Sequence, residues 1–446
     1  MDPTTLSIPE TTQLISSLSY DISPFSHSAG IPRKERSLFR GDREVRKLLD
    51  ALAFFLHTRP NRGDRFAMTL TVVQDEIVAT VAANTTDDIP HSDSSSPQVI
   101  LNTVWRHMLA CSGTTPKSTE HTEFATYVFE THLPLLRSRL SKWRVCYETY
   151  RRRSSRLRES NSPSATVTSY LDNVDKIFSA TVAFSESSEP LSNQSVGEFM
   201  THIRLCHNVS RQSAKLSNGD RKLLTSFQRI SGKSIIKKRY IDIIRFGEKL
   251  ASPLIHIDRV LSFCTNPKYQ DFLTKRFRIH ILPNPPPRCV DIPARLENWT
   301  TAEVAVFLHR SYKTIPCSDP EFVADAIDHL SGVVVDNIGK TQISRPHGEF
   351  LLVQHHHNEA RGEPMMETYI AMSKPCCLQC GVFLDAYNEA IPSGPLFFIR
   401  SRDLHVQPSI LPSIDVAIDA SIMETMSFRL NLLIGFTIEA YMGEKR

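Results

Sequence analysis

The sequence predicts an α/β protein in which two α/β segments flank a long, mainly α-helical segment. Near the start, VRKLLDALAFFLH (45–57) has helical apolar spacing and precedes two β-branched runs. Residues 98–335 consist mostly of periodic helical pieces, and from residue 336 onward strand and helix patterns alternate again. One α/β domain split by a large helical insertion explains this order better than two independent α/β fragments do.

The first α/β segment, residues 41–86, is predicted to contain a helix and a β-hairpin. The strands are expected around Leu70–Val73 and Ile77–Val81, and the polar residues QDE between them are typical of a hairpin turn. Residues 1–40 are rich in Ser, Thr and Pro, so we expect them to be partly disordered. The stretch DDIPHSDSSSP (87–97) has the composition of a linker.

The helical segment, residues 98–335, carries two basic runs, RRRSSRLR (151–158) and KKRY (237–240). Such runs can bind the phosphate backbone of a nucleic acid. More often they are solvated faces, and no interleaved aromatic residues strengthen either one. Neither run identifies a partner.

The last segment, residues 336–446, is the second half of the predicted α/β domain. Its pattern predicts, in order, a strand FLLVQ (350–354), a strand ETYIAMS (367–373), a helix CCLQCGVFLDAYNEA (376–390), a strand PLFFIRS (395–401) and a terminal helix (418–441).

Composition narrows the function classes without choosing one. Lys plus Arg number 52 against 48 Asp plus Glu, a formal net charge of +4, which permits an anionic partner but does not argue for one. No apolar run approaches the roughly 20 residues that a membrane helix needs, and no secretory signal is visible. We therefore expect an intracellular protein, cytoplasmic or nuclear, with no membrane association. In a reducing compartment, clustered cysteines among the 9 present suggest metal binding or catalysis more than disulfides.

The residues that carry chemistry lie between 350 and 390. Cys377 and Cys380 form C-x-x-C where a predicted strand gives way to a helix. Residues three apart share a helix face, so two thiolates can take adjacent corners of a zinc tetrahedron. His357 and Glu359 form H-x-E upstream. One imidazole and two thiolates leave the fourth corner open, as in catalytic zinc sites.

Simpler readings of these residues stay open at this point. Cys377 and Cys380 can be buried structural cysteines, and His355 and His356 compete with His357 as ligands. Cys376 is better interpreted as a packed thiol than as a ligand. Glu359 can be an ordinary solvated glutamate.

The H-x-E followed by P-C-C-x-x-C resembles the signature of the zinc-dependent deaminases of the cytidine deaminase-like superfamily. More narrowly, YIAMSKPCCLQC looks like the S-K-x-x-C-x-x-C form of a family of predicted nucleic acid deaminases that is widespread in fungi. The resemblance implies a cytidine deaminase-like α/β/α sandwich with Zn2+ held by His357, Cys377 and Cys380. It also implies that Glu359 is the general acid and base.

The resemblance further implies a hydrolase that deaminates cytosine or adenine. The substrate would be a base in single-stranded nucleic acid or a free nucleoside. Asn84, at the end of the hairpin, is expected to contact it, unless it is an ordinary turn residue. Ser373 and Lys374 are expected to line the pocket because they lie at a strand end beside the cysteines, although Lys374 can equally be a solvated lysine.

A second hypothesis is a catalytically inactive deaminase-like protein that uses structural zinc and serves as an interaction scaffold. Only the short ARGEPMM, which contains a proline, separates Glu359 from the next predicted strand, and this favours the scaffold. A fourth protein ligand, His355 or Cys376, would close the metal site. The sequence identifies no protein partner for either hypothesis.

Overall fold

The structure is a computed structural model, and it describes residues 42–58, 65–73, 75–84, 96–115, 118–160, 164–186, 192–212, 220, 231–234, 237–240, 243–286, 288–290, 300–312, 319–337, 342–359, 367–392, 394–400, 411 and 414–445. The disorder expected for residues 1–40 and most of the linker expected at 87–97 lie outside these described residues. The chain divides into two compact units. Unit 1 comprises residues 1–49, 65–89 and 278–446, and unit 2 comprises residues 50–64 and 90–277.

The helices of the described residues are, in chain order, α1 (Arg43–Phe55), α2 (Pro97–Cys111), α3 (Thr119–Ser160), α4 (Ala165–Glu186), α5 (Asn193–Gln212), α6 (Ile243–Cys264), α7 (Gln270–Thr274), α8 (Thr301–Tyr312), α9 (Pro320–Asn337), α10 (Gly348–Glu359), α11 (Leu378–Ala390) and α12 (Val416–Lys445). The strands are β1 (Arg65–Val73), β2 (Glu76–Asn84), β3 (Ser231–Ser234), β4 (Lys237–Tyr240), β5 (Arg276–Ile281), β6 (Arg288–Val290), β7 (Gln342–Ser344), β8 (Glu367–Met372) and β9 (Leu396–Ile399). Among the described residues, no helix combines the length and the apolar character needed to cross a membrane.

The main sheet has five strands in the order β5-β2-β1-β8-β9. The predicted hairpin is present, because β1 and β2 pair antiparallel from Arg65 opposite Asn84 to Val73 opposite Glu76. Strand β8 lies antiparallel to β1 and parallel to β9. The fold is therefore mixed α/β around an open five-stranded sheet, with mostly helical content elsewhere.

The core of unit 1 forms where α10 and α11 pack with the sheet. Phe350 of α10 meets Phe383 of α11 edge to face, with ring centroids 4.6 Å apart. Tyr387, one helical turn after Phe383, packs edge to face on Phe397 of β9 at 5.3 Å. These four aromatic side chains are buried, so apolar burial fixes the two helices relative to each other.

Two differences from the sequence-based prediction affect the main sheet and the helix beside it. The stretch FLLVQ (350–354), predicted as a strand, lies inside helix α10. A short apolar run buried on several sides fits either a strand or a helix, and tertiary packing decides between them. Strand β5 lies in the segment expected to be mainly helical, yet it joins the main sheet beside β2.

Unit 2 is built from helices packed around aromatic side chains. Phe54 stacks on His132 at 5.1 Å and on His256 at 4.2 Å. The two nitrogens of His132 face the carbonyl oxygens of Val128 and Phe54, at 2.8 and 3.5 Å. Burial lowers the pKa of His132 to about 4, so this imidazole is neutral at pH 7.

The two basic runs fall in different kinds of element. RRRSSRLR (151–158) lies in the last part of α3, where Arg151 and Arg152 are exposed. KKRY (237–240) forms β4 and pairs antiparallel with β3.

Candidate metal centre

A histidine and two cysteines meet in the interior of unit 1. Nδ1 of His347 lies 2.9 Å from Sγ of Cys380 and 3.4 Å from Sγ of Cys377. The two sulfur atoms lie 3.2 Å apart. All three side chains are buried, and they form one of the clusters of metal-binding side chains found among the described residues.

Two helix starts deliver these ligands. His347 immediately precedes α10, and its carbonyl oxygen accepts from the amides of Phe350 and Leu351. Cys377 is the N-cap of α11, with its sulfur 3.5 Å from the amide nitrogen of Cys380. Because α11 starts just after β8, the sheet fixes the position of both thiols.

Ser373 anchors the chain between β8 and the cysteines. Its amide donates to the carbonyl oxygen of Phe66 at 2.9 Å, and its hydroxyl accepts from the amide of Phe66 at 2.8 Å. This two-way pairing extends the contact of β8 with β1 beyond the strand end. The hydroxyl of Ser373, expected to contact substrate, thus holds backbone in place.

The donor set and its spacing fit a tetrahedral metal ion. Zinc with Zn–S near 2.3 Å and Zn–N near 2.0–2.1 Å needs ligand atoms roughly 3.4–3.8 Å apart. The observed separation of 3.4 Å is at the lower end of that range, and those of 2.9 and 3.2 Å are shorter than it. Small shifts of side chains already in place would therefore seat the ion, with one corner left over.

The pKa values of the three side chains are shifted by burial and by one another. A hydrogen bond from the Cys380 thiol holds the pKa of Cys377 well below its usual value, with His347 helping. Burial raises the pKa of Cys380 well above its usual value. Burial pulls the pKa of His347 down, but the Cys377 thiolate outweighs this and raises it. A divalent cation bound here would favour the deprotonated, metal-binding forms of the cysteines and the histidine.

Glu349 lies beside this cluster with an unsatisfied oxygen. Its side chain is 2% exposed, and Oε1 has no hydrogen-bond partner. Burial raises the pKa of this carboxyl above its ordinary value. Glu349 also clusters with Cys376 and Cys380, all three buried. A buried carboxyl with a free oxygen next to metal-binding side chains is a candidate proton carrier.

The structure brings Cys377 and Cys380 together as expected, but it pairs them with His347 and not with His357. Nδ1 of His357 lies 2.8 Å from the hydroxyl of Tyr387. Glu359 is 64% exposed, and its carboxylate lies 3.2 Å from Nε2 of His355. The reason is the length of α10, since ten residues of helix separate His357 from His347 by about 15 Å.

The sequence-based interpretation missed a second H-x-E, formed by His347, Gly348 and Glu349. The signal was present in PHGE (346–349), which precedes FLLVQ. Because FLLVQ was interpreted as a strand, the helix expected to follow the H-x-E motif had to begin after Glu359. Only the short ARGEPMM lies between Glu359 and β8. With FLLVQ in α10, the full helix follows Glu349 instead.

The other expected substrate contacts lie near strand ends. Asn84 ends β2, and its backbone pairs with Arg65 at the open end of the hairpin. Lys374 is half-buried and lies between Ser373 and the cysteines.

One comparison with known proteins bears on this centre. The family model described as "OTT_1508_deam:-like deaminase" matches residues 346–407. No curated protein and no solved structure gives a match. The matched stretch contains His347, Glu349, Cys377 and Cys380 and leaves the β1–β2 hairpin outside. It supports a deaminase family, and the cluster it contains is a possible metal site as in deaminases.

Proposed function

We propose that this chain is a zinc-dependent hydrolytic deaminase that acts on cytosine or adenine in single-stranded nucleic acid. The observation that carries the proposal is the buried Glu349, whose Oε1 lacks a partner, beside a His/Cys/Cys cluster. The deaminase match over residues 346–407 supports the reaction class. The single-stranded substrate is supported by the resemblance of the SKPCCLQC stretch and by accessibility, because a base in a duplex must be flipped out first.

His347, Cys377 and Cys380 would hold the zinc ion. Zinc, when bound, supplies Lewis-acid activation of water for hydrolysis. Three protein ligands match catalytic zinc sites, in which the fourth position takes water or substrate. Within the described residues, His355 belongs to a different cluster, with His356 and Glu359, and does not close this one.

Glu349 would move the protons of the reaction. Its carboxylate would take one proton from the attacking water and give it to the ring nitrogen. It would then take the second proton from the hydroxyl on the tetrahedral carbon and give it to the departing amine, which leaves as ammonia as the carbonyl forms. Burial raises the pKa of the Glu349 carboxyl, and a raised pKa makes a carboxylate a better proton acceptor. The sequence-based prediction gave this role to Glu359. Glu359 is mostly exposed, which argues against its being the proton carrier of a buried centre.

One observation favours the second hypothesis, a structural metal in an interaction scaffold. Cys376 is buried and clusters with Cys380 and Glu349, so a third thiol lies near the metal-binding side chains. Its sulfur donates to the carbonyl oxygen of Cys377 at 3.4 Å. A rotation that brought this thiol to the metal would close the fourth corner.

The test combines metal content with a deamination screen. Purified chain is incubated with single-stranded DNA, single-stranded RNA and free nucleosides, and mass spectrometry reads the exchange of an amine for oxygen. We expect Glu349→Gln to keep its zinc and to lose turnover by roughly 10²–10⁴-fold, the usual contribution of a general acid and base. Glu321→Gln, an exposed carboxylate on α9, is the matched control and should behave like the parent chain.

Three outcomes would change the proposal. Loss of turnover in Glu359→Gln with an active Glu349→Gln would assign the proton carrier to Glu359. No deamination by zinc-loaded chain, with zinc retained in Cys376→Ala, would refute the enzyme. No deamination together with zinc lost in Cys376→Ala would establish the scaffold.

A further inference from the structure

A second cluster of metal-binding side chains lies at the other end of α10. His355, His356 and Glu359 each offer a ligand atom, and these atoms all lie within 4.8 Å of one another. Nε2 of His355 lies 3.2 Å from Oε2 of Glu359. The cluster belongs to the HHHNE stretch, which the thiol-containing centre does not use.

The helix presents two of these ligands on one face. His355 and Glu359 are four residues apart, so their side chains lie one turn above the other in the last turns of α10. Imidazole and carboxylate at this spacing can chelate one ion without any change of backbone. Glu359 is mostly exposed and His355 only 16% exposed, so the ion would sit at the protein surface with access from solvent.

A contact with strand β1 already orients the imidazole of His356. Its Nε2 lies 2.8 Å from the hydroxyl of Thr69, a fully buried residue of β1. Metal-binding histidines usually use the second ring nitrogen in such a hydrogen bond, which fixes the ring and the tautomer. When Nε2–H donates to Thr69, Nδ1 is left with its lone pair for a metal.

His280 of the edge strand β5 lies next to this cluster. The imidazole of His280, an exposed residue of β5, faces that of His355 edge to face with ring centroids 5.1 Å apart. An ion held by His280 and by the histidines of α10 would fasten the end of this helix to the edge of the sheet.

We propose that His355, His356 and Glu359, with His280, form a second metal site that binds a late first-row divalent cation such as Zn2+. Imidazole nitrogen and one carboxylate favour zinc, nickel or copper, whereas Mg2+ and Ca2+ favour sites made of oxygen ligands. The site is distinct from the thiol-containing centre. Its first ligand lies eight residues along α10 from His347, which is about 12 Å of helix.

The experiment is a cobalt titration of the full chain, purified without a polyhistidine tag and stripped of metal. Cobalt at the thiol-containing centre gives a thiolate-to-cobalt charge-transfer band, and cobalt held by nitrogen and oxygen alone does not. We expect a second equivalent that binds after the charge-transfer band has saturated. Zn2+ should displace it, and excess Mg2+ should not.

Single variants locate that second equivalent. His355→Ala and Glu359→Gln should each weaken it by at least about tenfold, since even the loss of a residue that only orients a metal ligand costs 10–100-fold. His280→Ala should weaken it as well, and the charge-transfer band should stay unchanged in all three. His309→Ala, an exposed histidine in the last turn of α8, is the matched control and should bind the second equivalent like the parent chain.

Two results would overturn the site. One is a parent chain that takes up no cobalt beyond the thiol-dependent equivalent. The other is a second equivalent that binds equally well in His355→Ala and Glu359→Gln. Neither result bears on the deaminase proposal, because that proposal is judged by turnover and by the thiol-dependent band.

Discussion

Nδ1 of His347 lies 2.9 Å from Sγ of Cys380, although 33 residues of chain separate them. The contact joins the start of α10 to the first turn of α11. Two helix starts, each fixed against the same sheet, thus meet at one buried point. A metal centre at this point would depend on both helices and on the packing that holds them.

The first prediction concerns the two candidate histidine ligands. We expect His347→Ala to lose bound zinc, because it removes the imidazole that contacts both thiols. His357→Ala should keep it, because that imidazole pairs with the hydroxyl of Tyr387. Elemental analysis of zinc per chain, beside Cys377→Ser, makes the measurement. Zinc lost from His357→Ala and retained in His347→Ala would restore the ligand set expected from the sequence.

The second prediction concerns the glycine between His347 and Glu349. A Cβ at Gly348 would lie 3.0 Å from the carbonyl oxygen of Ala82 and 3.3 Å from Cβ of Ala67. Both atoms belong to paired strands, so α10 would have to move away from the sheet. We expect Gly348→Ala to cost about 1–3 kcal/mol in the free energy of unfolding and to weaken zinc binding.

Gly332 of α9 is the matched control for that substitution. A Cβ added there meets no atom within 4 Å. Gly332→Ala should therefore stabilise the chain by about 0.5–1 kcal/mol through helix propensity. Denaturant unfolding compares the two variants. An equal loss of unfolding free energy in both would show that the close approach of Gly348 to the sheet is not the cause.

The third prediction concerns the aromatic contact that ties α10 to α11. Phe383 is 1% exposed and packs on Phe350 with ring centroids 4.6 Å apart. Phe383→Ala should lower the free energy of unfolding by about 3–5 kcal/mol, the usual cost of removing a buried phenyl ring. It should also weaken zinc binding, because the two helix starts lose their common packing.

Phe428 offers the opposite environment on α12, with 62% of its surface exposed. Phe428→Ala should change the free energy of unfolding by no more than about 0.5 kcal/mol and leave zinc binding alone. A variant of Phe383 that unfolds more easily and still binds zinc normally would show that the metal centre does not depend on this contact.

The fourth prediction is a pH dependence of stability in unit 2. Burial lowers the pKa of His132 to about 4, below the value near 6.5 of the unfolded chain. As the pH falls below about 6.5, His132 becomes protonated in the unfolded chain but stays neutral in the folded chain. Stability is therefore lost progressively down to about pH 4, by roughly 3 kcal/mol in full.

Urea unfolding followed between pH 4 and pH 7 measures this slope. His132→Gln should be less stable than the parent chain at pH 7, because it loses the stacking on Phe54, yet its stability should depend less on pH. His309→Gln, at an exposed position, should keep the parent slope. An unchanged slope in His132→Gln would assign the acid sensitivity to other groups.

Much of the local structure follows from the sequence alone. The β1–β2 hairpin was predictable because β-branched runs flank a polar turn, and its strands pair in the expected place. The C-x-x-C at the start of α11 was predictable because a strand pattern runs into a helical one at the cysteines. These features depend on neighbours within one element, where periodicity and turn chemistry are informative.

The second half of the metal centre could not be chosen this way. Two H-x-E motifs lie ten residues apart, at His347 and at His357, and both have the same local spacing. The apolar run FLLVQ between them fits a strand or a helix equally well. Because FLLVQ is part of α10, only the H-x-E motif at His347 lies at the helix start that faces the cysteines.

The sequence by itself thus determined the mixed α/β class, the hairpin and the two thiols of the centre. Only the tertiary structure shows that His347 and Glu349, and not His357 and Glu359, lie beside these thiols, and that β5 completes the sheet. The physical reason is that these choices depend on contacts between residues far apart in the chain. Packing free energy between α10, α11 and the sheet selects one arrangement, and no local pattern carries that information.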